Sequence, residues 1–175
     1  MPILIAKAKA SVLIKRHDLY DLKEPALLIT ADQVVLYRTN VREKPENLSE
    51  ATEFLSSYSN DAVSTVSAIV VTHLPSGVQE SGVDIATVYW KNIPEEVVAR
   101  VVERGEVLQS AGGFKVEDPD LNPLVKGIDR PVDSVMGFPV DLVKKLMLAV
   151  NHTTSTATDS AVHSEAQSEC KHSHK

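Results

Sequence analysis

The stretch ITADQVVLYRTNVREKP, residues 29–45, puts a carboxylate, Asp32, at the end of an apolar run and a Lys-Pro pair, Lys44 and Pro45, about a dozen residues later. An aspartate at such a place can take a proton from water or hold a divalent cation, and a lysine ahead of a proline offers a positive charge on a stiffened loop. The same residues also suit a strand and its turn, because isolated acids commonly cap turns. A second lysine, Lys9 in AKAKA at 6–10, either projects toward the same place or belongs to a solvated helix face. Read from the residues alone, both pairs of alternatives stand.

The elements that would position these groups come from composition and periodicity. A chain of 175 residues with 43% hydrophobic content suits one domain with a real core. A net charge of −6 and a pI near 5.5 exclude general affinity for nucleic acid polymers or anionic membranes, so any phosphate binding must be local. A single cysteine, Cys170, points away from a disulfide framework, and no apolar run reaches the roughly 20 residues that span a bilayer. The expectation is a soluble, cytoplasmic protein.

Helical spacing of Ile3, Ala6, Ala10, Leu13 and Ile14 predicts an amphipathic helix over 3–16. ALLITADQVVLY reads as a buried strand that ends near Asp32 and resumes through Val34 to Tyr37. Asn47 with Glu50 resembles a cap for a helix over 48–58. Residues 62–74 and 83–90 read as a strand pair around a turn at 75–77. Pro94, Glu95 and Glu96 open, and Gly105 closes, a helix with Val97, Val98, Val101 and Val102 inward. Residues 109–139 are rich in glycine and proline and read as functional loops, followed by a helix over 139–150. Residues 151–175 are polar and low in complexity and read as a disordered tail. Its His163, Cys170, His172 and His174 are metal-ligand types, but without a second cluster they suit solvated residues better. The class is α/β or α+β, a mixed sheet with helices on its faces. Ligands in such sheets bind at strand ends, which makes Asp32 and residues 42–45 neighbours of one pocket.

Five motifs in order, AKAKA at 6–10, TADQVV at 30–35, REKP at 42–45, SAGGF at 110–114 and VDSVMGFP at 132–139, resemble the Maf family of nucleoside triphosphate pyrophosphatases. The likeness covers residues 3–150 and comes closest to eukaryotic, plant-like members. It implies a Maf-like (ITPase-like) fold with a deep cleft over 1–150, hydrolysis of a nucleoside triphosphate, including non-standard or modified ones, to monophosphate and pyrophosphate, a divalent metal (Mg²⁺ or Mn²⁺), and a homodimer.

Attack on an α-phosphate needs an activated water, a cation and positive side chains. By the resemblance, Asp32 is the general base or metal ligand, and Lys44 and Lys9 contact the triphosphate. Arg42 and Glu43 would assist, the first by a forked phosphate contact. Glu117 stands where many bacterial members carry Gln and would bear on substrate choice or metal affinity. Gln109 and Ser110 replace the bacterial Asp-Lys pair. Gly112 and Gly113 suit either a close approach to ligand or a turn. Thr65 is expected to be structural, with Gly137 and Pro139 shaping the last helix. Family members begin with a strand and an SxSPRR-type loop that binds phosphates, and this sequence is expected to lack both, an N-terminal truncation. A second reading follows from that expectation: a weak or inactive nucleotide-binding or interaction protein.

Overall fold

The computed structural model describes residues 1–16, 19, 24–74 and 76–169, with backbone alone from 155 onward. Helix α1 (Pro2–Arg16) leads into strands β1 (Ala26–Tyr37) and β2 (Asn40–Arg42), helix α2 (Leu48–Ser57), strands β3 (Ala62–Leu74) and β4 (Gln79–Trp90) and helix α3 (Glu95–Glu103). After a run of 3₁₀ turns come β5 (Val125–Ile128), the short α4 (Val132–Val135) and α5 (Val140–Glu169). The five strands form one sheet in the order β2-β1-β3-β4-β5, every neighbouring pair antiparallel. The expected class holds, with helices on both faces of the sheet.

Side-chain alternation along β1 decides which helix meets which face. Thr30, on the even-numbered face, donates from Oγ1 to the Ala6 carbonyl of α1 at 2.8 Å. The approach is that close because α1 presents Ala6 and Ala10, both fully buried, where larger side chains would hold the helix off. The odd-numbered face carries two cores. Val35, Tyr37, Val63, Val88 and Trp90 pack under α2, α3 and Phe114, whereas Ile69 and Val71 pack under Val143, Leu146 and Val150 of α5. Between them runs a polar seam, in which Gln33 Nε2 donates to Ser67 Oγ at 2.9 Å and to the Val135 carbonyl at 3.0 Å.

Local punctuation explains most element ends. Asn47 Oδ1 caps α2 by accepting from Glu50 N at 3.0 Å, while Glu50 Oε2 reaches back to Glu46 N at 2.7 Å. Pro94 opens α3 and Gly105, at φ 73°, closes it.

Three expectations change. The strand break at Asp32 is absent: β1 runs through it, and Asp32 pairs with Ala68 of β3. A mid-strand acid is tolerated because β2 pairs with β1 only at Val35, Leu36 and Tyr37, which leaves the outer edge of the earlier residues without a neighbouring strand among the described residues. Strand β4 starts at Gln79, ahead of the expected 83. The last helix does not stop near Val150 but runs to Glu169, through most of the segment read as a disordered tail; no Gly or Pro after Pro139 interrupts it. Position 75 of the expected turn and residues 170–175, with Cys170, His172 and His174, lie outside the described residues. Among the described residues no helix is long and apolar enough to cross a membrane.

Tyr58 joins the halves of the larger core. It is fully buried, meets Tyr37 and Phe114 edge to face at 5.3 and 5.7 Å, and donates to the Gly112 carbonyl at 2.9 Å. Burial pushes its hydroxyl up from the ordinary value of 10.0 to about 12. A phenol whose pKa rises on folding stabilises the fold fully below its unfolded value and loses that contribution as pH climbs through the folded one. Urea melts across alkaline pH are therefore expected to show an extra loss of stability between 10 and about 12 in the native chain. Tyr58→Phe removes that component, and costs about 1–2 kcal/mol near neutrality because the Gly112 carbonyl loses its donor.

Candidate active site

A cleft of about 340 Å³ opens beside the uncovered edge of β1. Lys9 of α1, Asp32 and Gln33 of β1, Thr65 of β3 and Lys44 after β2 form one side. Ser110, Phe114, Lys115 and Glu117, with Met136 and Gly137 of the loop before α5, form the other. Four residues expected from sequence to act together, Lys9, Asp32, Lys44 and Glu117, thus line one space, with Gln109 and Ser110 beside them.

Asp32 and Lys9 face each other from different layers. Lys9 Nζ donates to Asp32 Oδ1 at 2.7 Å and to the Ala31 carbonyl at 2.9 Å, with the Asp32 side chain only 15% exposed. An ion pair half open to water contributes little stability, so its consequence is geometric: one carboxylate oxygen is held and the carboxylate plane is fixed. Oδ2 has no hydrogen-bond partner among the described residues and can accept from water or ligate a cation.

Lys44 is placed from the far wall. Gly112 N donates to the Glu43 carbonyl at 2.9 Å, and Pro45 stands against Gly113. Gly112 and Gly113 adopt φ of 68° and 70°, and a Cβ on Gly112 would fall 2.6 Å from Val35 Cγ2. Their freedom serves a turn packed on β1; neither residue lines the cleft. Glu117 is placed by the residues after it. Arg104 binds Asp118 at 2.6 Å and Asp120 at 2.7 Å, Arg100 binds Asp120 at 3.1 Å, and Asn122 Nδ2 donates to the Val116 carbonyl at 2.9 Å. Arg104 first, then Arg100, holds the Asp120 carboxyl below its ordinary range. The Glu117 carboxylate itself has no hydrogen-bond or ion-pair partner among the described residues. Gly137, at φ 90°, lets its loop lie against Gln33.

Arg42 is not brought to the cleft. It is 9% exposed, its Nη1 donates to Ser57 Oγ at 2.7 Å, and its guanidinium lies 4.3 to 5.0 Å from the rings of Phe54, Tyr37 and Tyr58. The aromatic cage captures it for packing in place of the expected phosphate contact. Arg42 and Glu43 line a neighbouring cavity of about 610 Å³, floored by Val34, Leu36 and Phe54, which shares only Lys44 with the cleft. Among the polar residues that line the cleft, Gln33 and Lys115 were not singled out in sequence. The alternation Phe114-Lys115-Val116-Glu117, buried residues at 114 and 116, was the available signal for the second.

Among the described residues no group of three or more His, Cys, Asp or Glu stands ready to enclose a metal ion. The donors fit a hard cation of the Mg²⁺ kind, which binds through one or two carboxylates and completes its shell with water and substrate phosphates.

Comparison with known proteins identifies the family. The profile of the Maf-like protein family matches residues 2–150. The chain is 33% identical to a Dictyostelium discoideum protein named 7-methyl-GTP pyrophosphatase, over 86% of this chain and 77% of that one. It is 29% identical to a Vibrio parahaemolyticus 7-methyl-GTP pyrophosphatase, over 71% of this chain and 65% of the other. A Chlamydia trachomatis dTTP/UTP pyrophosphatase is also 29% identical, over 72% and 63%. The chain thus spans a little under two thirds of the length of these two bacterial relatives.

Gly112→Ala combines a left-handed backbone with a clash against Val35 and is expected to cost about 3 kcal/mol in urea unfolding. Gly105→Ala has the same backbone demand with nothing within 4 Å and is expected to cost about 1 kcal/mol. Equal losses would mean that the contact with Val35 does not hold the far wall.

Proposed function

The chain belongs to the family of Maf-like proteins, and from that premise we propose that it hydrolyses a nucleoside triphosphate to the monophosphate and pyrophosphate. What carries this reading is the convergence of Lys9, Asp32, Lys44 and Glu117 on one cleft. Water sits against Asp32 Oδ2 and attacks the α-phosphorus. The bond between that phosphorus and the oxygen bridging to the β-phosphorus breaks, the water's proton passes to the carboxylate, and pyrophosphate leaves with the bond's electrons. Lys9 keeps the carboxylate aimed, and Lys44 holds the polyphosphate in line, so that attacking and leaving oxygens lie opposite each other. Asp32 would also be the residue to hold a divalent cation, Mg²⁺ or Mn²⁺, which would supply neutralisation of the charge on the leaving group.

For the base, we propose a 7-methylguanine nucleotide. Methylation at N7 gives the purine a delocalised positive charge, and the Glu117 carboxylate in the cleft wall is a complementary anion. Among the relatives, those from Dictyostelium and Vibrio are named for 7-methyl-GTP. Met136, an exposed residue of the cleft lining, contributes apolar surface on which a purine face can rest.

Pyrophosphate release from a panel of canonical and modified nucleoside triphosphates, with Mg²⁺ or Mn²⁺, tests the reaction. Turnover is expected, with Asp32→Asn lowering kcat roughly 100-fold or more while leaving nucleotide binding largely intact. No turnover by the folded native chain, or an Asp32→Asn variant as fast as it, contradicts the assignment. Glu117→Gln is expected to lower kcat/KM for 7-methyl-GTP about tenfold and for GTP much less. Equal losses on both nucleotides would contradict the base assignment alone.

A further inference from the structure

Lys115 has no part in the reaction as described, yet it stands on the wall of the same cleft as Lys9 and Lys44. Its Nζ is held by Glu106 Oε2 at 2.9 Å, and Glu106 comes from the 3₁₀ turn that follows α3. Phe114 is extended, and Phe114 and Val116 are buried in the larger core. The intervening Lys115 therefore leaves the segment on the side away from that core. Neither partner of the pair is enclosed: the Lys115 side chain is 34% and the Glu106 side chain 64% exposed.

The three lysines of the cleft differ in what already occupies them. Lys9 is engaged by Asp32 and by the Ala31 carbonyl, and moving it would release the carboxylate it aims. Lys44 has no hydrogen-bond or ion-pair partner among the described residues. Lys115 is tied to one exposed carboxylate, an interaction of small net strength that a competing anion of higher charge can displace. A triphosphate carries several negative charges over a length that one lysine cannot cover, and charge-assisted bonds to phosphate oxygens are stronger than a solvated carboxylate pair.

We propose that Lys115 is a further phosphate-binding residue, parked on Glu106 while the cleft is empty, which exchanges that carboxylate for a phosphate oxygen of the bound nucleotide. Glu106 is then an internal competitor that weakens nucleotide binding and keeps the lysine near the cleft mouth. This inference rests on the nucleotide-hydrolase reading of the cleft.

The test is calorimetric binding of inorganic tripolyphosphate to the full chain, with nucleotide turnover measured alongside. Lys115→Ala is expected to weaken tripolyphosphate binding about tenfold, and Lys115→Arg to retain most of it. Glu106→Gln is expected to tighten binding, because the competitor is gone while the lysine remains. Native-like binding by Lys115→Ala, alongside loss in Lys44→Ala, overturns the inference and leaves the hydrolase reading standing. Weakening by Glu106→Gln equal to that by Lys115→Ala also overturns it, since the pair would then be a structural brace. A native chain that neither binds tripolyphosphate nor turns over any nucleotide overturns both.

Discussion

The far wall of the cleft depends on the absence of a side chain at Gly112. Its backbone runs so close to β1 that a single added carbon would overlap Val35, and only a residue tolerant of positive φ can make the turn. Three contacts meet there: Gly112 N donates to the Glu43 carbonyl, its own carbonyl accepts from Tyr58, and Gly113 lies against Pro45. The loop that carries Lys44 and the segment that carries Glu117 are thereby registered to each other and to the sheet. Neither loop has a regular ladder to fix it, so this backbone junction does the work that strand pairing does elsewhere.

The opposite wall is organised by an unusual place for an acid. Asp32 lies within a strand paired to β3 along its inner side, and its outer side stands open. That openness is what makes the position chemically useful: one carboxylate oxygen meets Lys9, and the other has no hydrogen-bond partner among the described residues. Two residues apart in sequence, Arg42 and Lys44 are placed to opposite ends. Strand β2 ends with Arg42 turned inward among Phe54, Tyr37 and Tyr58, and the chain then swings out to present Lys44. Two neighbouring cations therefore serve different ends, one closing the core beneath α2 and the other facing the cleft.

Much of this was legible in the residues. Asn47 with Glu50, Pro94 with its two glutamates, and the valines of α3 marked two helices, because caps and periodicity act locally. The gathering of Lys9, Asp32 and Lys44 was also anticipated, through the first three of the five motifs, and Glu117 through its place after the fourth. What escaped was long-range. The continuity of β1 through Asp32 rests on pairing with Ala68 of β3, and the usefulness of the acid there on an open edge that no window of sequence reveals. Arg42 looked like a phosphate ligand because its type and neighbours suggested one, but the rings that hold it lie at 37, 54 and 58. Lys115 was overlooked for a simpler reason: its alternation with buried neighbours was present, but the segment was read as loop. The length of α5 escaped because polarity was taken as disorder, although residues 151–169 contain neither Gly nor Pro.

The central claim is that the cleft beside Asp32 directs water to the α-phosphorus of a nucleoside triphosphate. Hydrolysis in ¹⁸O-enriched water, with the products weighed by mass spectrometry, tests it most directly. The account predicts one ¹⁸O in the nucleoside monophosphate and none in the pyrophosphate. Label in the pyrophosphate, or release of orthophosphate in its place, would contradict the geometry assigned to Asp32.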